Sequence, residues 1–213
     1  MELATALENA LTSARPFTAI AELLARGEDA VLATPGLVRP LVTAAVFHEN
    51  PRPTLVVVSG QEAAERYARQ LTAYLPREQV LHFPTRGDMP WSEVAPDVAV
   101  VGARSRAIDA LQRGREVVVV AAARTLLRAL PPQGSHVFEP LSLAAVAELD
   151  LEETIEHLSR MGYERTDAAD ERGRFAVRGG VLDVFASDAV GPVRAEFFGD
   201  EIDGISEVDP LRG

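Results

Sequence analysis

Three arginines near the carboxy-terminal end stand at fixed offsets that a packed core does not need. Arg165, Arg172 and Arg178 fall in two short stretches, Tyr163-Glu164-Arg165-Thr166-Asp167 and Arg172-Gly173-Arg174-Phe175-Ala176-Val177-Arg178-Gly179. A guanidinium held on a strand or tight loop offers a planar fork of N–H donors that grips a carboxylate through two bonds, and arginines and aromatics are enriched where proteins meet. Phe175 lies between the arginines as a candidate aromatic anchor, and Gly179 completes the set. The competing use of the same cations is internal, because residues 126–213 hold 18 acids for them to pair with.

A second stretch carries the remains of a different chemistry. A phosphate-binding loop of the G-x-x-x-x-G-K-[ST] kind needs glycines for close backbone approach, a lysine to reach the terminal phosphates and a hydroxyl for the metal. After an apolar run at residues 30–33 the chain reads Ala33-Thr34-Pro35-Gly36-Leu37-Val38-Arg39-Pro40. Ala33 and Val38 stand at the two glycine positions, Arg39 at the lysine and Pro40 at the hydroxyl, and proline also lacks an N–H. All 21 basic residues of the chain are arginine. The expectation is that Ala33, Gly36, Val38, Arg39 and Pro40 bind no nucleotide and that residues 34–36 are a strand-to-helix turn.

Other candidates are weaker. His48, His82, His136 and His157 show no i, i+3 or i+4 pairing, and Asp200, Glu201 and Asp203 lack the spacing of a calcium loop, so no metal is expected. Trp91 sits on a proline-rich stretch at residues 84–97, read as a packed loop, and Ser59-Gly60 follows an apolar strand as a phosphate turn would. No catalytic constellation and no cofactor is indicated.

The elements that must position these residues follow from periodicity. Apolar runs at residues 31–33, 54–58, 79–83 and 116–121 alternate with amphipathic stretches at 37–48, 61–74 and 97–113, the pattern of a parallel sheet covered by helices. Gly27 and Gly114 end helical stretches. Residues 131–135, rich in proline and glycine, are the best break in the chain. Beyond it Asp150 opens a helix with Glu153 three residues on, as in a capping box; Leu151, Ile155 and Leu158 share one face, and Gly162 stops it. Short strands with glycine turns follow. The fold class is therefore α/β, a partial parallel sheet flanked by helices at residues 1–128, followed by a small α+β domain at residues 129–213.

Composition narrows the function classes. The 213 residues hold no cysteine, which excludes disulfide scaffolds and thiolate chemistry and accords with a reducing cytoplasm. No run approaches the ~20 apolar residues needed to cross a bilayer, and the amino-terminal eight residues read as an amphipathic helix. The net charge of −11 is uneven: residues 1–125 balance 13 arginines against 14 acids, whereas residues 126–213 set 8 against 18. Such a surface repels a phosphate backbone, so DNA binding by this chain is not expected.

The motifs Tyr163-x-Arg165-x-Asp167, Arg172-Gly173-x-Phe175-x-Val177-Arg178-Gly179-x-x-x-Asp183-x-Phe185 and Phe198-x-Asp200-Glu201-Ile202 resemble the UvrA-binding domain shared by UvrB and the transcription-repair coupling factor Mfd. The degenerate turn at residues 33–40 points to the coupling-factor branch. The resemblance implies a UvrB-like first domain without a working nucleotide site and a UvrA-interaction domain after it, with Arg165 and Arg178 at UvrA-contacting positions. A third arginine often present in UvrB is Ala176 here. It further implies a non-catalytic adaptor that recruits UvrA to stalled RNA polymerase in transcription-coupled nucleotide excision repair. The parent would be an ATP-dependent DNA translocase, reaching RNA polymerase and DNA through its other parts and masking the UvrA surface internally. The chain then reads as the amino-terminal piece of a longer protein, its sheet partly uncovered and open to dimerisation or to a missing segment. The alternative is a UvrB-like DNA-damage binding or ATPase module.

Overall fold

Among the described residues, helices alternate with three strands up to residue 130, and strands dominate from residue 164 onward. The computed structural model describes residues 15–87, 97–130 and 140–208. Trp91, the break at residues 131–135, His136 and the amino-terminal amphipathic segment lie outside the described residues. The elements are α1 (Arg15–Ala25), α2 (Arg39–Glu49), β1 (Thr54–Val58), α3 (Gln61–Leu71), β2 (Val80–Phe83), α4 (Val98–Gln112), β3 (Val118–Ala122), α5 (Leu151–Arg160), β4 (Glu164–Arg165), β5 (Arg174–Arg178), β6 (Val181–Phe185), β7 (Val193–Phe198) and β8 (Glu201–Glu207). The structure is α/β, with one parallel and one mixed sheet, as the pattern of runs required.

The first sheet has the order β1-β3-β2 and is parallel throughout. Its middle strand is buried at all five positions, which explains why Val118 to Ala122 is an unbroken apolar run rather than an alternating one. Val118 and Val120 pack with Ala44 and Phe47 of α2 and with Ala64, Ala68 and Leu71 of α3, where small residues on the helix let it approach the sheet closely. On β1, Val56 and Val58 join this core while Leu55 and Val57 remain 47% and 49% exposed. The expected strand at residues 31–33 is not formed. Val31 is fully exposed and Leu32 is 44% exposed, because so short an apolar run becomes a strand only where a neighbour supplies ladder hydrogen bonds, and no described strand does so. The helix-ending glycines Gly27, Gly114 and Gly162 all adopt positive φ.

The chain divides into two compact units, Met1–Thr85 with Arg106–Leu130, and Arg86–Ser105 with Pro131–Gly213. The division falls within α4, so residues 86–105 cluster with the second unit rather than with the sheet before them. Packing explains this. A Cβ built on Gly102 of α4 would stand 2.6 Å from the carbonyl carbon and Oγ of Ser187, and one on Gly173 would stand 3.0 Å from Val98. The amino-terminal turns of α4 therefore lie against the β6–β7 loop and the approach to β5.

The second sheet has the order β4-β5-β6-β7-β8, with β4 parallel to β5 and the remaining pairs antiparallel. Helix α5 begins as its sequence requires: Asp150 accepts a hydrogen bond from the Glu153 N–H at 2.8 Å, and its carbonyl accepts one from the Thr154 hydroxyl. Leu158 of α5 packs on Phe175, Leu182 and Val184, with Leu151, Ile155, Tyr163, Val177, Val193 and Phe197 around them. One face of this sheet is thus a helix-covered core.

Candidate functional site

The turn at residues 33–40 is built as a helix entry. Gly36–Val38 forms one 3-10 turn that runs directly into α2. The Val38 N–H donates to the Pro35 carbonyl at 3.1 Å and the Arg39 N–H to the Gly36 carbonyl, so two donors that would face a phosphate are already used. Pro40 has no N–H and is fully buried in the first turn of the helix. Ala33 and Arg39 are exposed, and a Cβ on Gly36 would meet nothing within 4 Å, so nothing here requires a glycine.

The candidate recognition residues lie in the second unit, and the strand register sorts them. Directly paired residues point to the same side of a sheet and neighbours along a strand to opposite sides. Phe175, Val177, Leu182, Val184, Val193 and Phe197 form the core face. Arg174, Ala176, Arg178, Val181, Asp183, Arg194 and Glu196 therefore share the other face.

Each expected site residue has a definite place in this scheme. Phe175 corrects the sequence reading: it is 0% exposed at the centre of the core and presents no surface to a partner. Arg165 stands on the short edge strand in register with Phe175, exposed, and its side chain makes no hydrogen bond or ion pair among the described residues. Arg178 is exposed on the opposite face, where Nη2 donates to the Asp167 carbonyl at 2.7 Å and fastens β5 to the loop after β4. Arg172 is committed within the unit: Nε donates to the Ala189 carbonyl at 2.9 Å and the guanidinium stacks 5.6 Å from the Phe185 ring centroid. Gly179 begins the two-residue β5–β6 turn with φ +61, and beside it a Cβ on Gly180 would stand 2.9 Å from the Phe197 carbonyl oxygen. The structure thus brings Arg178 and Gly179 together at the end of β5 and leaves Arg165 on the edge.

Three further residues on the Arg178 face escaped the sequence reading. Phe198 is 85% exposed, an aromatic left mostly in solvent. Glu196 is exposed two positions before it, and Arg194 two before that. The Arg194 guanidinium pairs side-on with Asp183, Nε to Oδ1 at 2.7 Å and Nη2 to Oδ2 at 2.8 Å, which raises the Arg194 pKa chiefly through that hydrogen bond. The signal was available in the alternation of Arg194, Glu196 and Phe198 against Val193, Ala195 and Phe197: period two puts the second set in the core and the first outside. Arg174 is occupied by Asp170, Glu171 and Glu164 at 3.0, 3.1 and 3.3 Å. The arrangement places a cation, an anion and an exposed aromatic on one face of the sheet, residue types that protein interfaces use.

Elsewhere, Gln61 at the start of α3 lies 3.3 Å from His82 and accepts the Thr85 N–H at 3.0 Å. Among the described residues no group of three or more potential ligands could hold a metal ion, and no helix is long and apolar enough to cross a membrane.

Residues 141–213 match the UvrB interaction domain. The chain is 35% identical over 184 residues to the transcription-repair-coupling factor of Mycobacterium bovis, covering 83% of this chain and 15% of that protein. It is 32% identical over 204 residues to the same factor of Myxococcus xanthus, covering 92% and 17%. It is 31% identical over 210 residues to UvrABC system protein B of Caldicellulosiruptor saccharolyticus, covering 91% and 32%. The chain thus spans about a sixth of the coupling factors and a third of the UvrABC system proteins that it matches. With this site and these similarities, residues 141–213 carry a UvrB interaction domain, and the chain is similar over most of its length to transcription-repair-coupling factors and to UvrABC system protein B.

Proposed function

We propose that the chain is a DNA-repair adaptor whose second unit docks onto UvrA, bringing it to stalled RNA polymerase in transcription-coupled nucleotide excision repair. The observation that carries this reading is the outer face of the five-stranded sheet. There Arg178, Glu196 and the 85% exposed Phe198 stand together on the segment that matches the UvrB interaction domain. Arg165, exposed on the edge strand and turned by its register with Phe175 to the other side of the sheet, adds a separate point of contact around that edge. The first unit serves as a support rather than an enzyme: the N–H groups of Val38 and Arg39 are spent on a 3-10 turn and Pro40 has none, which favours an adaptor over an ATPase. Translocation of DNA, ATP hydrolysis and contact with RNA polymerase belong, on this reading, to other parts of a longer cytoplasmic parent, which also mask the UvrA surface.

Calorimetric titration of the 213-residue chain into purified UvrA tests this. Wild type binds, and Arg165→Ala with Arg178→Ala loses about 2 kcal/mol or more, as truncated interface arginines do. Absence of a binding heat for wild type overturns the reading. Salt-sensitive binding to damaged duplex DNA in its place favours a UvrB-like damage-binding module.

A further inference from the structure

We infer that Asp183 is a positioning residue of the docking face, holding the Arg194 guanidinium in place for the partner. The inference rests on the docking role of that face and goes beyond it by assigning a residue that touches no partner itself. Asp183 is 7% exposed and stands directly between two cross-strand neighbours, Ala176 on β5 and Arg194 on β7. Ala176 is itself 2% exposed and offers only a methyl group, so of these two neighbours Arg194 alone can compensate the carboxylate. The side-on pairing uses Nε and Nη2 and leaves Nη1 uncommitted, on a side chain that keeps 28% of its surface exposed.

A buried ion pair of this kind is weak evidence for stability, because desolvating the carboxylate offsets much of the attraction. What the pair does achieve is order. A lone surface arginine must surrender its rotamer freedom when a partner binds, whereas one already clamped through two bonds surrenders little. The clamp also settles a local competition. Glu196 lies two residues along the same face and already pulls on the Arg194 charge. Without Asp183 the guanidinium swings toward Glu196, and the two charges that a partner would read neutralise each other.

The test is a double-mutant cycle in the titration of the 213-residue chain into UvrA, with each variant's unfolding temperature recorded beside it. Arg194→Ala weakens binding about tenfold or more. Asp183→Asn, which preserves shape and removes charge, weakens it about fivefold, and adding Asp183→Asn to Arg194→Ala costs nothing further, the coupling expected of a residue acting through another. The Arg194 Nε–H resonance, sharp in wild type, is lost in Asp183→Asn. Unchanged affinity in Asp183→Asn, or a full additional loss in the double variant, overturns the inference and leaves Asp183 a structural residue. If Asp183→Asn does not fold, Arg194→Lys carries the test. It keeps the cation but cannot make the side-on pair, and binding equal to wild type overturns the inference. Failure of wild type to bind UvrA removes the docking reading and this inference together, whereas binding without coupling removes the inference alone.

Discussion

The turn at residues 33–40 and the outer face of the second sheet both have the outline of a recognition site, yet they differ in where donors and charges point. In the turn, the backbone N–H groups of Val38 and Arg39 bond to Pro35 and Gly36, so the groups that would meet a ligand are used up in building the helix entry. On the sheet, backbone donors are used up in the ladder as well, but period two throws every second side chain outward, and Arg178, Glu196 and Phe198 remain exposed. A backbone site is lost once a few residues change the local hydrogen bonding. A side-chain site on a sheet survives as long as the strands keep their register. That is the physical reason to place function in the second unit.

The sharpest way to break this comparison is to exchange the roles of two phenylalanines. Phe175→Ala opens a cavity among Leu158, Leu182 and Val184 and costs about 3–5 kcal/mol of stability, read by chemical denaturation. Phe198→Ala removes a side chain that is 85% exposed; it leaves stability within about 0.5 kcal/mol and weakens UvrA binding by about 2 kcal/mol. If Phe198→Ala destabilises the unit as Phe175→Ala does, the outer face is not a free surface and the contrast collapses.

A second, smaller contrast concerns glycine. At Gly102 an added Cβ would stand 2.6 Å from the Ser187 carbonyl carbon and 2.8 Å from the Asp188 nitrogen, contacts with backbone that no rotamer change relieves. Gly102→Ala therefore costs about 1–3 kcal/mol. At Gly36 the same Cβ meets nothing within 4 Å and the backbone is not left-handed, so Gly36→Ala changes stability by less than about 0.5 kcal/mol. A large loss at Gly36, seen in the same thermal unfolding experiment, reveals a cradle that the backbone geometry does not display.

Much of the fold was legible because strong local signals coincided with tertiary demand. The run at Val118 to Ala122, the cap at Asp150 and the stop at Gly162 each appear where the residues place them. The failures have physical causes. Residues 31–33 have strand composition but no described strand to pair with, and composition cannot supply a partner. The start of α4, up to residue 105, clusters with the second unit, where Gly102 meets Ser187, a pairing between residues 85 positions apart that periodicity does not encode. Within the candidate site, motif spacing singled out Arg165, Arg178 and Phe175, of which the two arginines are exposed and Phe175 is buried. Phe175 sits between arginines in sequence, whereas its register with Val184 turns it into the core, and Phe198, from a different strand, is left outside.

The smallest effect belongs to the first unit and concerns pH. His82 lies 3.3 Å from the Gln61 amide, whose oxygen accepts the Thr85 N–H and whose nitrogen donates to Glu65 at 3.1 Å. With the amide so oriented, its nitrogen donates to the His82 ring, which must be neutral to accept. Burial lowers the His82 pKa below its ordinary 6.5, and the opposing pull of Glu65 only partly restores it. A histidine with a lowered folded pKa is protonated first in the unfolded chain, so its contribution to stability is complete above about pH 6.5 and is lost as pH falls from there toward the folded value. Thermal unfolding of wild type between pH 7.5 and 5.5 loses stability more steeply than that of His82→Gln, which removes this proton while the carboxylates shared by both proteins cancel in the difference. Parallel pH profiles show that His82 takes up its proton equally in both states, and the Gln61 contact then does not hold the ring neutral.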